Sequence, residues 1–347
     1  MKHYLITGAS GFIGQSYVKS LASANVKITL LSREKSLEKT KKIFPTLNVL
    51  SFDLGKGVFS DLNMDSLSSV TDVVHIAGGY DIGMNFKEAY ENNILVAQNI
   101  IHLIKKLKTA PLVHLVSSFS VVGNSNNQNY SEDDLCLNEK KMSSYSFSKA
   151  KVEEAFRLFS EKEGIKLRVY RPGIVIETRD NQLMPKIDGP YYFSKALLKL
   201  KAMIKPMLFL VLPFSKDATL PLVSIDSLTK NLVNATTNPE TSHLVRCYYF
   251  FSQNQVRVED LIKSFFKVLK IDIKIVALPK IKGMHKCVSM VGVPMELYDF
   301  LYMNNKYETT MRRSDFSVWA EENFTVDSLA RLIINSTPED EKEAKNA

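Results

Sequence analysis

Cysteine is scarce in this sequence, and its three copies, Cys136, Cys247 and Cys287, stand far apart. Such spacing supplies neither a zinc-ligand pair nor a disulfide framework, so no metal is expected and a reducing cytoplasm is the expected location. Long apolar runs are also missing. The densest, Met207-Leu-Phe-Leu-Val-Leu-Pro213, falls far short of the ~18–20 residues a bilayer-spanning helix needs. No apolar leader with a cleavage site precedes the first strand-like segment: Met1-Lys-His-Tyr-Leu-Ile-Thr-Gly8 passes directly into a glycine loop, the pattern expected of a chain that is not secreted. Internal repeats are absent, and the only low-complexity stretch is the polar end, 337–347, which is expected to fray. Acidic charge is the minority, with 37 Asp and Glu against 45 Lys and Arg and a formal net charge of +8. A basic surplus suits an anionic cofactor, a coenzyme A tail or a membrane surface. Because the lysines are scattered and no nucleic-acid motif accompanies them, no nucleic-acid partner is expected.

What is present is an ordinary globular composition, 45% hydrophobic and 24% charged over 347 residues, enough to bury a sizeable core. Short β-branched apolar runs alternate with helical periodicity, the signature of βαβ units and of a parallel sheet covered on both faces. Strands are predicted over 3–7, 27–32, 49–52, 73–77, 112–117 and 167–170. Helices are predicted over 11–23, 92–107 and 146–163, the last capped by Gly164. This is an α/β fold, a doubly wound sheet of the Rossmann type. Beyond residue 175 the alternation breaks down. The expected division is a nucleotide-binding domain over 1–178 with a return strand near 220–233, a smaller substrate lobe built from 179–219 and 234–336, and the tail. Within the lobe, 193–205 reads as an amphipathic basic helix and 258–269 as a further helix.

The loop Thr7-Gly8-Ala9-Ser10-Gly11-Phe12-Ile13-Gly14 lies between the first strand and the first helix, where backbone N–H groups and a helix N-terminus can face a pyrophosphate. Gly8 permits the turn, Gly11 lets phosphate approach, and Gly14 allows close helix–strand packing. Ser10, Phe12 and Ile13 belong to the same cradle. At the end of the second strand a carboxylate would accept from a ribose 2′-OH and repel a 2′-phosphate. The segment here is Leu31-Ser32-Arg33. Arg33 offers a guanidinium fork to a phosphate, so NADP(H) is expected over NAD(H), which stays the alternative. Asp53 and Leu54 are placed to contact adenine, and Ala77 and Gly78 to let the cofactor lie close to the backbone.

Hydride transfer to a carbonyl needs a proton donor at its oxygen, and a free tyrosine, with a pKa of ~10, is a sluggish one. A lysine ammonium nearby favours the phenolate and lowers that value. Tyr145 and Lys149 are four apart at the start of a helix and project from one face. The spacing recurs at Tyr191/Lys195 and Tyr302/Lys306, but only Tyr145 lies between the fifth and sixth strands, downstream of Val116-Ser117-Ser118-Phe119-Ser120. A serine just past a strand's carboxyl end can hydrogen-bond a substrate carbonyl, and chemistry alone does not choose among Ser117, Ser118 and Ser120.

The glycine loop, His75-Ile-Ala77, Asn93, Ser118 five residues before Gly123, Tyr145-Ser-Phe-Ser-Lys149 and Arg171-Pro-Gly173 together resemble the extended short-chain dehydrogenase/reductase superfamily. The resemblance covers roughly the first half of the chain. It implies Ser118 as the catalytic serine, Tyr145 as the acid, Lys149 as its partner, and Asn93 as a support near the nicotinamide, with Pro172, Gly173 and Ile174 on the cofactor. One departure is Val96-Ala97, where the family usually carries Gly-Thr. A narrower resemblance, over 75 to about 230, rests on His75-Ile-Ala-Gly-Gly-Tyr-Asp-Ile-Gly83, Val169-Tyr-Arg-Pro-Gly-Ile-Val-Ile176 and Lys186-Ile-Asp-Gly-Pro-Tyr-Tyr-Phe193. These segments are similar to fatty acyl-CoA reductases, above all the N-terminal reductase portion of the two-part bacterial enzymes that make fatty alcohols, and more distantly to thioester reductases. The likeness implies NADPH-dependent reduction of a long-chain acyl thioester or fatty aldehyde.

Other readings of the same residues differ in substrate or in class. The shared catalytic set would equally serve a dehydrogenase or epimerase acting on a sugar nucleotide or a sterol-like alcohol, and a chain of this fold without chemistry would be a dinucleotide sensor. The intact Ser118, Tyr145 and Lys149 argue against the sensor, and the Met- and Phe-rich second half against a sugar. Tyr191 and Tyr192 either line an acyl tunnel entrance or pack a hinge. The stretch 196–213 mixes lysines with an apolar face and either covers a pocket or rests on a membrane surface. His75 and His114 read as core histidines. The expected partner is a small hydrophobic substrate, with peripheral membrane contact and a homodimer as further options.

Overall fold

The computed structural model describes residues 1–52, 62–80, 83–123, 128–178, 189–252, 254–281, 293–322 and 324–338. Its first strand, β1 (His3–Thr7), is buried along its whole length. Tyr4 and Ile6 enter one hydrophobic cluster, and Leu5 enters another. Successive side chains of a strand point to opposite faces, so a strand apolar at every position belongs to a sheet covered on both sides. β2 (Lys27–Ser32), β3 (Asn48–Ser51), β4 (Asp72–His75) and β5 (Leu112–Val116) follow, with the helices α1 (Phe12–Leu21) and α2 (Glu34–Ile43) between the first three.

The chain then turns through α3 (Phe86–Ala89), one π-helical turn at Tyr90–Ile94, and α4 (Leu95–Lys106). A short strand β6 (Asn129–Tyr130) precedes the long helix α5 (Ser144–Glu163). Gly164, at φ +66, ends α5 in the left-handed conformation expected of its capping glycine. β7 (Leu167–Pro172), β8 (Ile174–Ile176), α6 (Pro190–Ile204), β9 (Phe209–Pro213), β10 (Thr219–Leu220), β11 (Leu222–Ser224), α7 (Ile225–Thr237), β12 (Val245–Phe250), β13 (Val256–Arg257), α8 (Val258–Val268), β14 (Lys274–Leu278) and β15 (Lys306–Tyr307) complete the labelled elements.

Among the described residues, seven strands form one parallel sheet in the order β12-β7-β5-β4-β1-β2-β3. This is the doubly wound Rossmann-like fold that the βα alternation predicts. The order reverses between β1 and β4, and that switch point opens a crevice beyond the carboxyl ends of the strands. One face is filled by α4 and α5 through Ile100, Leu103, Val152 and Phe156. The other is filled by α1 and α7 through Val18, Leu21, Leu228 and Leu232, in a cluster that runs on without a break into the lobe at Phe265, Phe300 and Ile333.

Two of the predicted boundaries differ. The strand expected to return to the sheet near 220–233 splits: β11 pairs in parallel only with β8, and Ser224 then caps α7 through its hydroxyl. The seventh strand of the main sheet is instead β12, whose Cys-Tyr-Tyr-Phe segment lies buried against β7. Aromatic residues there pack cross-strand, Tyr170 stacked on Tyr248 at 6.0 Å and tilted against Phe250 at 4.9 Å, a packing that a βα alternation count does not anticipate. At the other end, Thr337, placed in the tail by sequence, is buried with its hydroxyl bonded to Ser194 at 2.9 Å. No described helix is long and apolar enough to cross a membrane.

Candidate active site

The crevice at the switch point is a cavity of about 530 Å³. Its floor is the glycine loop. Gly8 takes φ +80, and a Cβ there would sit 2.5 Å from the Ala77 amide nitrogen. A Cβ on Gly14 would lie 2.0 Å from the Gly8 carbonyl oxygen, so the loop and α1 approach more closely than any side chain permits. Gly11 is the helix N-cap and provides no side-chain cap, and the first turn of α1 carries no acid. The initial N–H groups and the positive end of the helix dipole are thereby left for an anion. A backbone pressed this close, with unspent donors, fits the pyrophosphate of a dinucleotide.

Ser10, Gly11, Phe12, Ile13 and Gly14, expected from the sequence to contact the cofactor, line this cavity together with Ala77, Gly78, Pro172, Gly173 and Ile174. Gly173 is needed for the same reason as Gly14, since a Cβ would meet the Pro221 carbonyl oxygen at 2.0 Å. Arg33 lines the outer end just past β2, joined there by Ser36 and Lys39, which the sequence reading did not single out. Its guanidinium donates to Asn92 Oδ1 at 3.3 Å. Asp53 and Leu54 lie outside the described residues.

Tyr145 and Lys149 both face the crevice from the first turns of α5, where the Ser143 hydroxyl accepts from the Ser146 N–H and starts the helix. Lys149 is buried, and its ammonium donates to the Val116 carbonyl at 2.9 Å. Burial pulls that ammonium down to about 8, against the opposing pull of Glu153. The Tyr145 ring stands edge-on to Tyr80, with centroids 4.8 Å apart. Asn93 does not line the cavity. Its amide braces the neighbourhood, accepting from the Gly79 N–H at 2.7 Å and donating to Ser148 Oγ at 2.8 Å, and Ser148 in turn donates to the Tyr145 carbonyl at 2.7 Å. Asn93 sits within the π-helical turn, a feature often found at functional positions.

The three serines after β5 separate by their partners. Ser117 donates to Glu153 Oε2 at 2.8 Å. Glu153 is also gripped by Arg171 at 2.6 Å and Arg157 at 2.7 Å. Burial works to raise the Glu153 carboxyl, but Arg171 foremost and then Arg157 and Ser117 outweigh it and hold it down. Ser117 is thus part of a buried ionic hub that locks α5 to β5 and β7. All three serines line the cavity; Ser118 caps the short 3-10 turn Phe119–Val122 and shares a 2.9 Å hydroxyl contact with Ser120.

The histidines sit in the sheet as core residues. His75 bonds Thr7 Oγ1 at 2.8 Å, and burial, seconded by Lys149, lowers it to about 3, so it stays neutral. His114 lies between Asp72 and Tyr170, at 3.1 and 2.9 Å. Tyr191 is fully buried and its hydroxyl accepts from the Glu177 N–H at 3.0 Å, which makes it a packing residue rather than part of a tunnel entrance. From the lobe, Leu297 and Phe300 complete the cavity wall. No periodic signal marked them, because contact between the lobe and the crevice is tertiary.

A model of the NAD dependent epimerase/dehydratase family matches residues 4–190. Among solved structures, the terminal R domain from the myxalamid PKS-NRPS biosynthetic pathway superposes with a TM-score of 0.73 at 17% identity, over 97% of this chain and 90% of that one. The UDP-glucose 4-epimerase from Bifidobacterium longum, in complex with NAD+ and UDP, gives 0.65 at 15% identity over 96% and 98%. A UDP-Glc/GlcNAc 4-epimerase from Campylobacter jejuni gives 0.65 at 15% identity over the whole of both chains. No curated protein sequence matches significantly.

Proposed function

The chain belongs to the NAD dependent epimerase/dehydratase family, and on that premise we propose that it is an NADPH-dependent reductase of a long-chain acyl thioester or fatty aldehyde. A nicotinamide dinucleotide is the cofactor of this enzyme class, and the glycine cradle fits one. The choice of NADPH is supported by Arg33 and Lys39 beyond β2, where no acid lines the cavity among the described residues.

When bound, the reduced cofactor supplies a hydride. The chain's own residues do the rest. Ser118 donates a hydrogen bond to the substrate carbonyl and orients it. Tyr145 gives its hydroxyl proton to the carbonyl oxygen as negative charge develops there. Lys149, held by the Val116 carbonyl, stabilises the phenolate left behind. The balance for an aldehyde is one hydride and one proton added across C=O. For a thioester, the same addition is followed by departure of the thiol and formation of the aldehyde.

The observation that carries the substrate class is the character of the wall beyond Ser118: Phe119, Ile174, Val175, Leu297 and Phe300. Apart from Arg33 and Lys39 at the cofactor end, Lys149 is the only charged side chain among the described lining residues. Among the described lining residues beyond Ser118, a second diphosphate, as in a sugar nucleotide, would meet no cation besides Lys149, whereas an alkyl chain gains by burial. The test is a panel of palmitoyl-CoA, hexadecanal, a sterol and UDP-glucose, each followed by NADPH or NADP+ absorbance. Turnover is expected with the first two. Turnover with UDP-glucose alone would overturn the reading.

A further inference from the structure

We propose that the tip of α6 and the outer face of the β9–β14 ribbon form a docking surface for an anionic lipid bilayer. After the last buried residue of α6, Ile204, the chain stays exposed through Phe209, with Leu208 at 87% and Phe209 at 60% exposure and Met203 at 64% just before it. β9 and β14 then pair in parallel, with Phe209 opposite Lys274 and Val211 opposite Val276. Alternation sorts the ribbon into two faces. Leu210, Leu212, Ile275 and Ala277 pack on the core, while Phe209, Val211 and Val276 point outward and are exposed. The outer face of a two-stranded ribbon is ordinarily polar, and an apolar patch with a charged rim marks an interaction surface.

Charge decides the occupant. From residue 189 to 216 the sequence holds Lys195, Lys199, Lys201, Lys205 and Lys216 and not one Asp or Glu. Lys199, Lys201 and Lys205 are exposed and form no ion pair with the described residues. An apolar tip next to exposed lysines, unpaired among the described residues, matches the layering of a bilayer, with side chains entering the acyl boundary and lysines at the anionic headgroups. A two-fold copy of the chain would set the same lysines against each other. The surface is also linked to the crevice: Gly189, at the start of α6, lines the cavity, and a helix of this length places the tip on the order of 22 Å away.

The test is co-sedimentation of the purified chain with vesicles of phosphatidylcholine alone or mixed with phosphatidylglycerol. Binding is expected to the mixed vesicles and to weaken as salt is added. Lys201→Gln with Lys205→Gln, and separately Leu208→Asp with Phe209→Asp, should each lower partitioning by about tenfold or more. These residues are exposed, so NADPH binding should be unchanged in both variants, which separates lost docking from lost folding. Equal binding to neutral and anionic vesicles, or variants that bind like the wild type, would overturn the proposal. So would a dimer that Leu208→Asp splits, because the face would then belong to a second copy. This inference does not rest on the substrate reading, and vesicle binding and the substrate panel can fail separately.

Discussion

The chemistry at residue scale comes down to where three charges are kept. Lys149 is a cation without exposure, held by one carbonyl and drawn down to about 8 by burial. In the proposed mechanism it is an ammonium below that value and would stabilise the phenolate left by proton donation; as pH rises through it, that support would be lost. The kcat for reduction is therefore expected to fall above about pH 8, and a profile that stays flat well into the alkaline range would contradict the role. Arg33 is a cation at the mouth, half-buried, with its guanidinium donating to Asn92. Arg33→Ala should raise Kd for NADPH on the order of tenfold to a hundredfold, the worth of a charge-assisted hydrogen bond, and leave NADH nearly untouched. Equal losses for the two cofactors, measured by fluorescence titration, would remove the 2′-phosphate argument. Glu153 is the third charge; it engages the Ser117 hydroxyl, which favours Ser118, whose hydroxyl meets only Ser120 among the described residues, as the serine proposed to meet substrate.

The elements that were easiest to foresee are those in which local and tertiary demands agree. β1, β2, the glycine loop and α5 with Gly164 were all legible, because a short apolar run, a forced φ and a helix cap each act within a few residues. Ser117 and Ser118 looked alike by sequence, since only the position of Glu153 one element away distinguishes them. Leu297 and Phe300 were invisible for the same reason. The junction of β1 and α1 offers the sharpest element-scale test. Gly14→Ala would place a methyl 2.0 Å from the Gly8 carbonyl oxygen, and the loop would have to open. A stability loss of about 1–3 kcal/mol in urea titration is expected, together with weakened binding of both nicotinamide dinucleotides. A variant that binds them as tightly as the wild type would show that the cradle is looser than its geometry.

Across the whole molecule, the sheet and the lobe share one continuous core, so a division read from alternation alone puts β12 on the wrong side. Its Tyr248, Tyr249 and Phe250 fall in the 234–336 stretch assigned to the lobe, yet they close the sheet beside β7 and reach the lobe through Phe316 and Trp319. The lobe in turn supplies the apolar wall against which a substrate would lie. The glycine loop, Tyr145 and a hydrophobic wall thus converge on a single crevice, and the central proposal is that Tyr145 moves the proton there. Turnover of hexadecanal with NADPH by Tyr145→Phe, beside NADPH binding by the same variant, tests it most directly. The account predicts a kcat loss of about 10²–10⁴-fold or more with Kd for NADPH unchanged; undiminished turnover by the variant would contradict it.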